Sequence, residues 1–72
     1  MDYKHAFETL ADLRSRVSDI EQAISELGQG VPGPVARALE RTRDGTSILR
    51  GLLWSADMAV EAERDRAQGI NP

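Results

Sequence analysis

A seam of apolar residues runs through the first 27 residues of the chain. Its members recur at alternating spacings of three and four: Tyr3, Ala6, Leu10, Leu13, Val17, Ile20, Ile24 and Leu27. This is the a/d pattern of a helix that packs along its whole length on another helix. It predicts a helix over residues 3–27, with Asp2 as its N-cap and Gly28 in the left-handed conformation that often ends a helix.

A second apolar pattern predicts a helix over residues 34–67. It follows a linker, residues 28–34, that is dense in glycine and proline, and Pro34 suits the first position of the new helix. The pattern weakens at Asp44-Gly45-Thr46, where a glycine costs about 1 kcal/mol relative to alanine. We favour one continuous helix here, and the alternative is a break capped by Asp44 or Thr46.

Two helices joined by a short Pro/Gly loop predict an all-α fold, an antiparallel helical hairpin of unequal arms. Residues 1–67 form one domain, and residues 68–72 are expected to be a frayed tail. The predicted core between the two helices consists of Leu10, Leu13, Val17, Ile20, Ile24, Leu27, Leu49, Leu53 and Val60.

The size of the chain predicts self-association. A domain of 72 residues buries only about 60% of its unfolded surface, so its own core leaves little margin. The chain has no cysteine and one histidine, which removes disulfides and leaves oligomerisation as the remaining support. Over residues 48–60 of the second helix, apolar residues cover most of the circumference, so we expect a homo-oligomer interface containing Ile48, Gly51, Leu52, Trp54 and Met58. In the alternative, Trp54 folds back on the first helix or sits half exposed.

Charge identifies one candidate ligand site. The net charge is −3, yet residues 31–50 carry four arginines against two acids. Because guanidinium groups and hydroxyls bind phosphate well, these residues predict a site for a small phosphorylated ligand. Its members are Arg37, Arg41, Thr42, Arg43, Thr46 and Arg50. In the alternative interpretation the arginines pair with Glu40, Asp44 or acids of a neighbouring molecule.

No motif indicates catalysis or a cofactor. The serines lie outside any G-x-S-x-G elbow, no phosphate-binding P-loop is present, and His5 lies near the chain terminus. We therefore expect no enzyme activity, no metal site and no cofactor. We also expect no membrane span, no signal peptide and no double-stranded DNA binding, and the lack of cysteine fits a cytoplasmic protein.

Residues 10–21, LADLRSRVSDIE, resemble the start of the first helix of the all-helical chorismate mutases. In that family an arginine at the position of Arg14 helps to bind substrate carboxylates. The family continues this helix further and adds a lysine from a second helix. Here Gly28 ends the helix and no lysine follows Lys4, which favours convergence on a similar helix.

Residues 46–56, TSILRGLLWSA, are similar to the second helix of phage-encoded helical-hairpin sponges. That family blocks cyclic-oligonucleotide immune signalling. The resemblance implies a compact homo-oligomer that sequesters cyclic nucleotides between subunits without chemistry. Arg50 and Gly51 depart from the family pattern, and no ligand-contacting residue is carried over from it.

These observations favour a non-enzymatic homo-oligomeric binding protein, and the resemblance of residues 46–56 implies a phage anti-defence sponge for cyclic nucleotides. The alternative is a small adaptor or inhibitor that offers an exposed helix face to another protein.

Overall fold

Two antiparallel helices make up the fold of this chain. A computed structural model describes residues 1–69, and residues 70–72 lie outside the described part. Helix α1 spans Tyr3–Leu27 and helix α2 spans Gly33–Ala67, and the two pack on each other. The predicted all-α helical hairpin is confirmed, and α2 begins one residue earlier than expected. Gln68, the first residue of the tail that we expected to be frayed, is the C-cap of α2, and its backbone N–H donates to the Arg64 carbonyl at 3.0 Å.

The helix ends follow from local side-chain and backbone chemistry. Asp2 is the N-cap of α1, and its Oδ1 accepts a hydrogen bond from the His5 N–H at 3.0 Å. Gly28 ends α1 with an ordinary φ of −72°, so the expectation of a left-handed residue there is wrong. The left-handed residue is Gly30, with φ of 70°, which turns the linker toward α2.

The space around Gly28 is limited by its own helix. A Cβ at this position would lie 3.2 Å from the carbonyl oxygen of Ile24 in α1, a tight contact, and 3.8 Å from the Cδ1 of Leu39 in α2, an ordinary van der Waals contact. The glycine therefore relieves crowding at the end of α1 beside α2.

Helix α2 runs through Asp44-Gly45-Thr46 without interruption. Two threonine hydroxyls bond back to carbonyls of the same helix in this region. Thr42 donates to Ala38 at 3.0 Å and Thr46 donates to Arg43 at 2.8 Å. The continuous helix favoured from sequence is confirmed.

Contacts between the helices repeat every seven residues. The Arg64 guanidinium lies 5.3 Å from the centre of the Phe7 ring, Arg14 pairs with Asp57, and Arg50 pairs with Glu21. Each step of seven toward the C-terminus of α1 thus matches a step of seven toward the N-terminus of α2. This is the register of an antiparallel coiled coil, and we call these contacts the polar row.

One heptad stripe of each helix faces the other helix. In the described residues only Val17 and Thr46 are fully buried, at 4% and 8% exposure. Around them lie half-buried residues at the same heptad positions: Tyr3, Leu10 and Ile24 in α1, and Leu39, Leu53 and Val60 in α2.

Four residues predicted for the hairpin core are exposed instead. They are Leu13, Ile20, Leu27 and Leu49. The physical reason is that two helices touch along a narrow line, so only one of the two seam rows faces the partner. The a/d pattern indicated two buried rows, and a single hairpin has room for one of them.

The molecule is long and thin. Its extents are 56 × 18 × 14 Å, and its radius of gyration is 16.8 Å. A compact domain of this length would have a radius of about 11 Å. The register places residues 33–43 of α2 beyond the last turn of α1. There Gly28 and Gln29 of the linker lie beside Ala36 and Leu39, so the linker covers the overhanging part of α2.

Candidate functional site

The centre of the polar row is a cluster formed by Glu21, Thr46 and Arg50. Thr46 replaces an apolar residue at the seam position between Leu39 and Leu53. Its hydroxyl lies 3.3 Å from Oε2 of Glu21, while Oε1 of the same carboxylate pairs with Arg50. The predicted phosphate ligands Thr46 and Arg50 are thus occupied by a carboxylate of the same chain. The guanidinium of Arg50 and the hydroxyl of Thr46 thus help to hold α2 in register with α1.

Arg43 occupies the next position of the polar row, and it faces a residue without a side chain. A step of seven from Glu21 reaches Gly28, and a step of seven from Arg50 reaches Arg43. Both residues line an open groove of about 260 Å³, together with Ile24, Ser25, Gln29, Ala36, Leu39 and Glu40. Within residues 1–69 Arg43 makes no ion pair, so its guanidinium is available to an external anion.

The other predicted ligand residues point in different directions. Thr42 lies on the opposite side of the seam from Arg43, and its hydroxyl is used within the helix. Arg37 and Arg41 are exposed and lie one turn apart on the side of α2 that faces away from α1. The six residues predicted as one phosphate site therefore do not converge in a single hairpin.

The predicted oligomer-interface residues are all exposed, but they divide between two surfaces. Gly51 and Met58 lie on the back of α2, away from α1, and Trp54 lies beside them on the side of the polar row; we call the surface of these three residues the outer face. Trp54 is 63% exposed there, so it does not fold back on α1. Leu52 lies on a different side, and Ile48 lies between the two surfaces.

Leu52 belongs to an apolar surface that both helices build. The polar row fills one side of the helix–helix contact. The other side carries five large exposed apolar residues, which we call the lateral face: Leu13, Ile20, Leu27, Leu49 and Leu52. Sequence reasoning assigned four of them to the interior. The signal that separates them is the heptad spacing of the charges, since Arg14/Glu21 and Arg50/Asp57 mark the side that the ion pairs occupy.

Arg14, the residue matched to a substrate-binding arginine, forms an ion pair with Asp57 across the helices. Its guanidinium is engaged within the hairpin. In the described part of the chain, no group of three His, Asp or Glu side chains is placed to hold a metal ion. Neither described helix is long and apolar enough to cross a membrane.

Neither the models of protein families, nor the curated proteins, nor the solved structures contain a match to this chain.

Proposed function

We propose that this protein is a non-enzymatic binding protein that works as a homo-oligomer. The observation that carries the proposal is the very small hydrophobic core of the hairpin. Val17 is the one fully buried apolar residue among residues 1–69. Ten large apolar side chains are exposed at the same time. A helical hairpin with so small a core gains stability in water when another surface covers part of its apolar area.

The surface area of the chain supports the same proposal. A compact monomer of 7.9 kDa would expose about 4,400 Å². The hairpin exposes 5528 Å², about a quarter more. The excess exceeds the roughly 800 Å² that each partner buries in a typical stable interface.

Molar mass tests this proposal directly. Light scattering over a wide range of protein concentration should give a multiple of 7.9 kDa. Because association couples to folding, the melting temperature should also rise with protein concentration. A cooperatively folded monomer whose melting temperature is independent of concentration would overturn the proposal.

For the ligand, we propose a small phosphorylated molecule of the cyclic-nucleotide class, sequestered without chemistry. Arg43 supports this assignment, because it faces Gly28 in an open groove and has no partner within residues 1–69. The resemblance of residues 46–56 to phage anti-defence sponges points to the same class of ligand. The lack of cysteine supports a cytoplasmic location for such a protein.

Thermal shift with cyclic di- and trinucleotides tests the ligand. Binding should raise the melting temperature of the oligomer, and Arg43→Ala should reduce that rise to less than half. Arg66→Ala is the matched control, because Arg66 is exposed and pairs with Glu63 at 2.7 Å at the far end of α2. An equal shift in all three proteins would remove Arg43 from the site.

A protein-binding adaptor is the second candidate function. The exposed Trp54 on the outer face favours it, because aromatic side chains commonly anchor protein interfaces. An intact oligomer that shows no thermal shift with any nucleotide would favour the adaptor over the sponge.

A further inference from the structure

We propose that two copies of the chain pack side by side through the lateral face and form a four-helix bundle. This inference rests on the proposed function, since it names the surface by which the homo-oligomer forms. The lateral face comprises Leu13, Ile20, Leu27, Leu49 and Leu52, all exposed in the single hairpin.

The position of the face follows from the polar row. In an antiparallel helix pair, residues at one flank of the seam meet their equivalents on the other helix. Arg14–Asp57 and Glu21–Arg50 occupy one flank, so the opposite flank of both helices must form the second side of the hairpin. Leu13, Ile20 and Leu27 repeat every seven residues along that side.

The face is suited to a partner that is two helices wide. Apolar residues of both α1 and α2 contribute to it, so one added helix would leave part of it uncovered. A second copy offers the same two-helix face, and in a two-fold dimer each face meets its equivalent. In a four-helix bundle the a and d positions of each helix are both buried, and this is the usual arrangement for helices with an a/d heptad pattern.

The borders of the face do not oppose such a contact. Arg16 lies next to Leu13 and Ile20 on the helix surface, and its guanidinium is held by Asp12 of the same helix at 2.9 Å. The long side of the hairpin measures 56 by 18 Å, which gives room for about 800 Å² of contact on each copy.

Gly45 lies on the same side of the molecule as the lateral face. It is in the interior of α2, seven residues before Leu52, where glycine costs about 1 kcal/mol relative to alanine. A Cβ built on Gly45 would meet nothing within 4 Å, and the same is true of Gly51 on the outer face. Gly45 is therefore compatible with the close approach of a second copy, and comparison of the two glycines tests that approach.

Cysteine protection tests the face without disturbing the fold. The natural chain has no cysteine, so Ala59→Cys places a single thiol seven residues after Leu52, on the lateral side. Ser47→Cys is the matched control, because it lies seven residues before Trp54 on the side of α2 away from the lateral face, and both positions are exposed in the hairpin. In the oligomer the thiol at position 59 should react with a maleimide about tenfold more slowly than the thiol at position 47, because reaction requires dissociation. Dilution below the association range should remove the difference.

A pair of charge substitutions provides the second measurement. Ile20→Glu should reduce the molar mass to the 7.9 kDa of one chain, whereas Trp54→Glu should leave the dimer intact. Equal reactivity of the two thiols in a protein that still forms an oligomer would overturn the lateral face but leave the proposed function standing. A folded monomer at every concentration would overturn both.

Discussion

At the scale of single residues, Thr46 has the most informative environment in the hairpin. It is the one buried polar residue of the described chain, and it sits in a seam otherwise lined by apolar side chains. Its hydroxyl reaches Glu21, and Glu21 in turn pairs with Arg50. The hydroxyl proton is shared between the Arg43 carbonyl at 2.8 Å and the Glu21 carboxylate at 3.3 Å. A polar seam position costs some stability but disfavours other alignments, because any shift along the seam would separate the Glu21 carboxylate from both Arg50 and Thr46.

The first prediction concerns the carboxylate of this cluster. Glu21→Gln should lower the free energy of unfolding by about 1 kcal/mol, since it weakens contacts with both Thr46 and Arg50. The measurement is urea unfolding followed by circular dichroism at one fixed protein concentration. Glu26→Gln serves as control, because the exposed Glu26 carboxylate accepts a side-chain hydrogen bond from Gln22 of the same helix at 3.4 Å and makes no ion pair with α2. This substitution should change the free energy of unfolding by no more than about 0.5 kcal/mol. Equal effects of the two substitutions would contradict the assigned role of Glu21.

At the scale of elements, heptad spacing determines how much of the hairpin is predictable. The a/d pattern of α1 and the Pro/Gly linker were sufficient to predict two antiparallel helices with nearly correct ends. The pattern could not separate Val17, which is buried, from Ile20, which is 48% exposed, because both are apolar seam residues. Only the pairing of Arg14 with Asp57 shows which row faces the other helix.

The candidate ligand site was less predictable than the fold for a related reason. Composition indicated a basic stretch, but it carried no information on which arginines already have partners. Arg50 is satisfied by Glu21 and Arg43 is not, and this difference depends on Gly28, which lies 15 positions before Arg43 in the sequence and faces it across the helix pair. Arg37 and Arg41 lie on the far side of the helix, where charge counting alone could not place them.

Two glycines within α2 provide the second prediction. Gly51→Ala should raise the free energy of unfolding by about 1 kcal/mol, because a Cβ there meets nothing within 4 Å and alanine favours the helix. Gly45→Ala has the same propensity gain and an equally open surrounding in the single chain. If a second copy approaches at Gly45, its substitution should stabilise the protein less than Gly51→Ala does. Thermal unfolding at matched concentration measures the difference, and identical gains would argue against close approach at Gly45.

At the scale of the whole molecule, the elongated shape makes the mode of association measurable. The hairpin alone has a radius of gyration of 16.8 Å. Side-by-side packing separates the two centres by about 10 Å, the usual distance between packed helices, so the dimer should have a radius of about 18 Å. End-to-end packing would separate the centres by about the 56 Å length of the hairpin and give about 33 Å.

Small-angle X-ray scattering at a concentration where the protein is dimeric distinguishes these values. The lateral face predicts the small increase, because the added copy lies along the long axis of the first. A radius near the larger value would place the contact at the ends of the hairpin and exclude the four-helix bundle.

The overhang of α2 beyond α1 has a consequence for any ligand shared between subunits. It puts Arg37, Arg41 and Arg43 together at one pole of a rod 56 Å long. Two rods that lie head to tail carry these arginines to opposite poles, too far apart for one nucleotide to bridge. A single cyclic nucleotide can touch both chains only where the rods run in the same direction, so the polarity of the dimer decides whether its ligand is shared or bound once per chain.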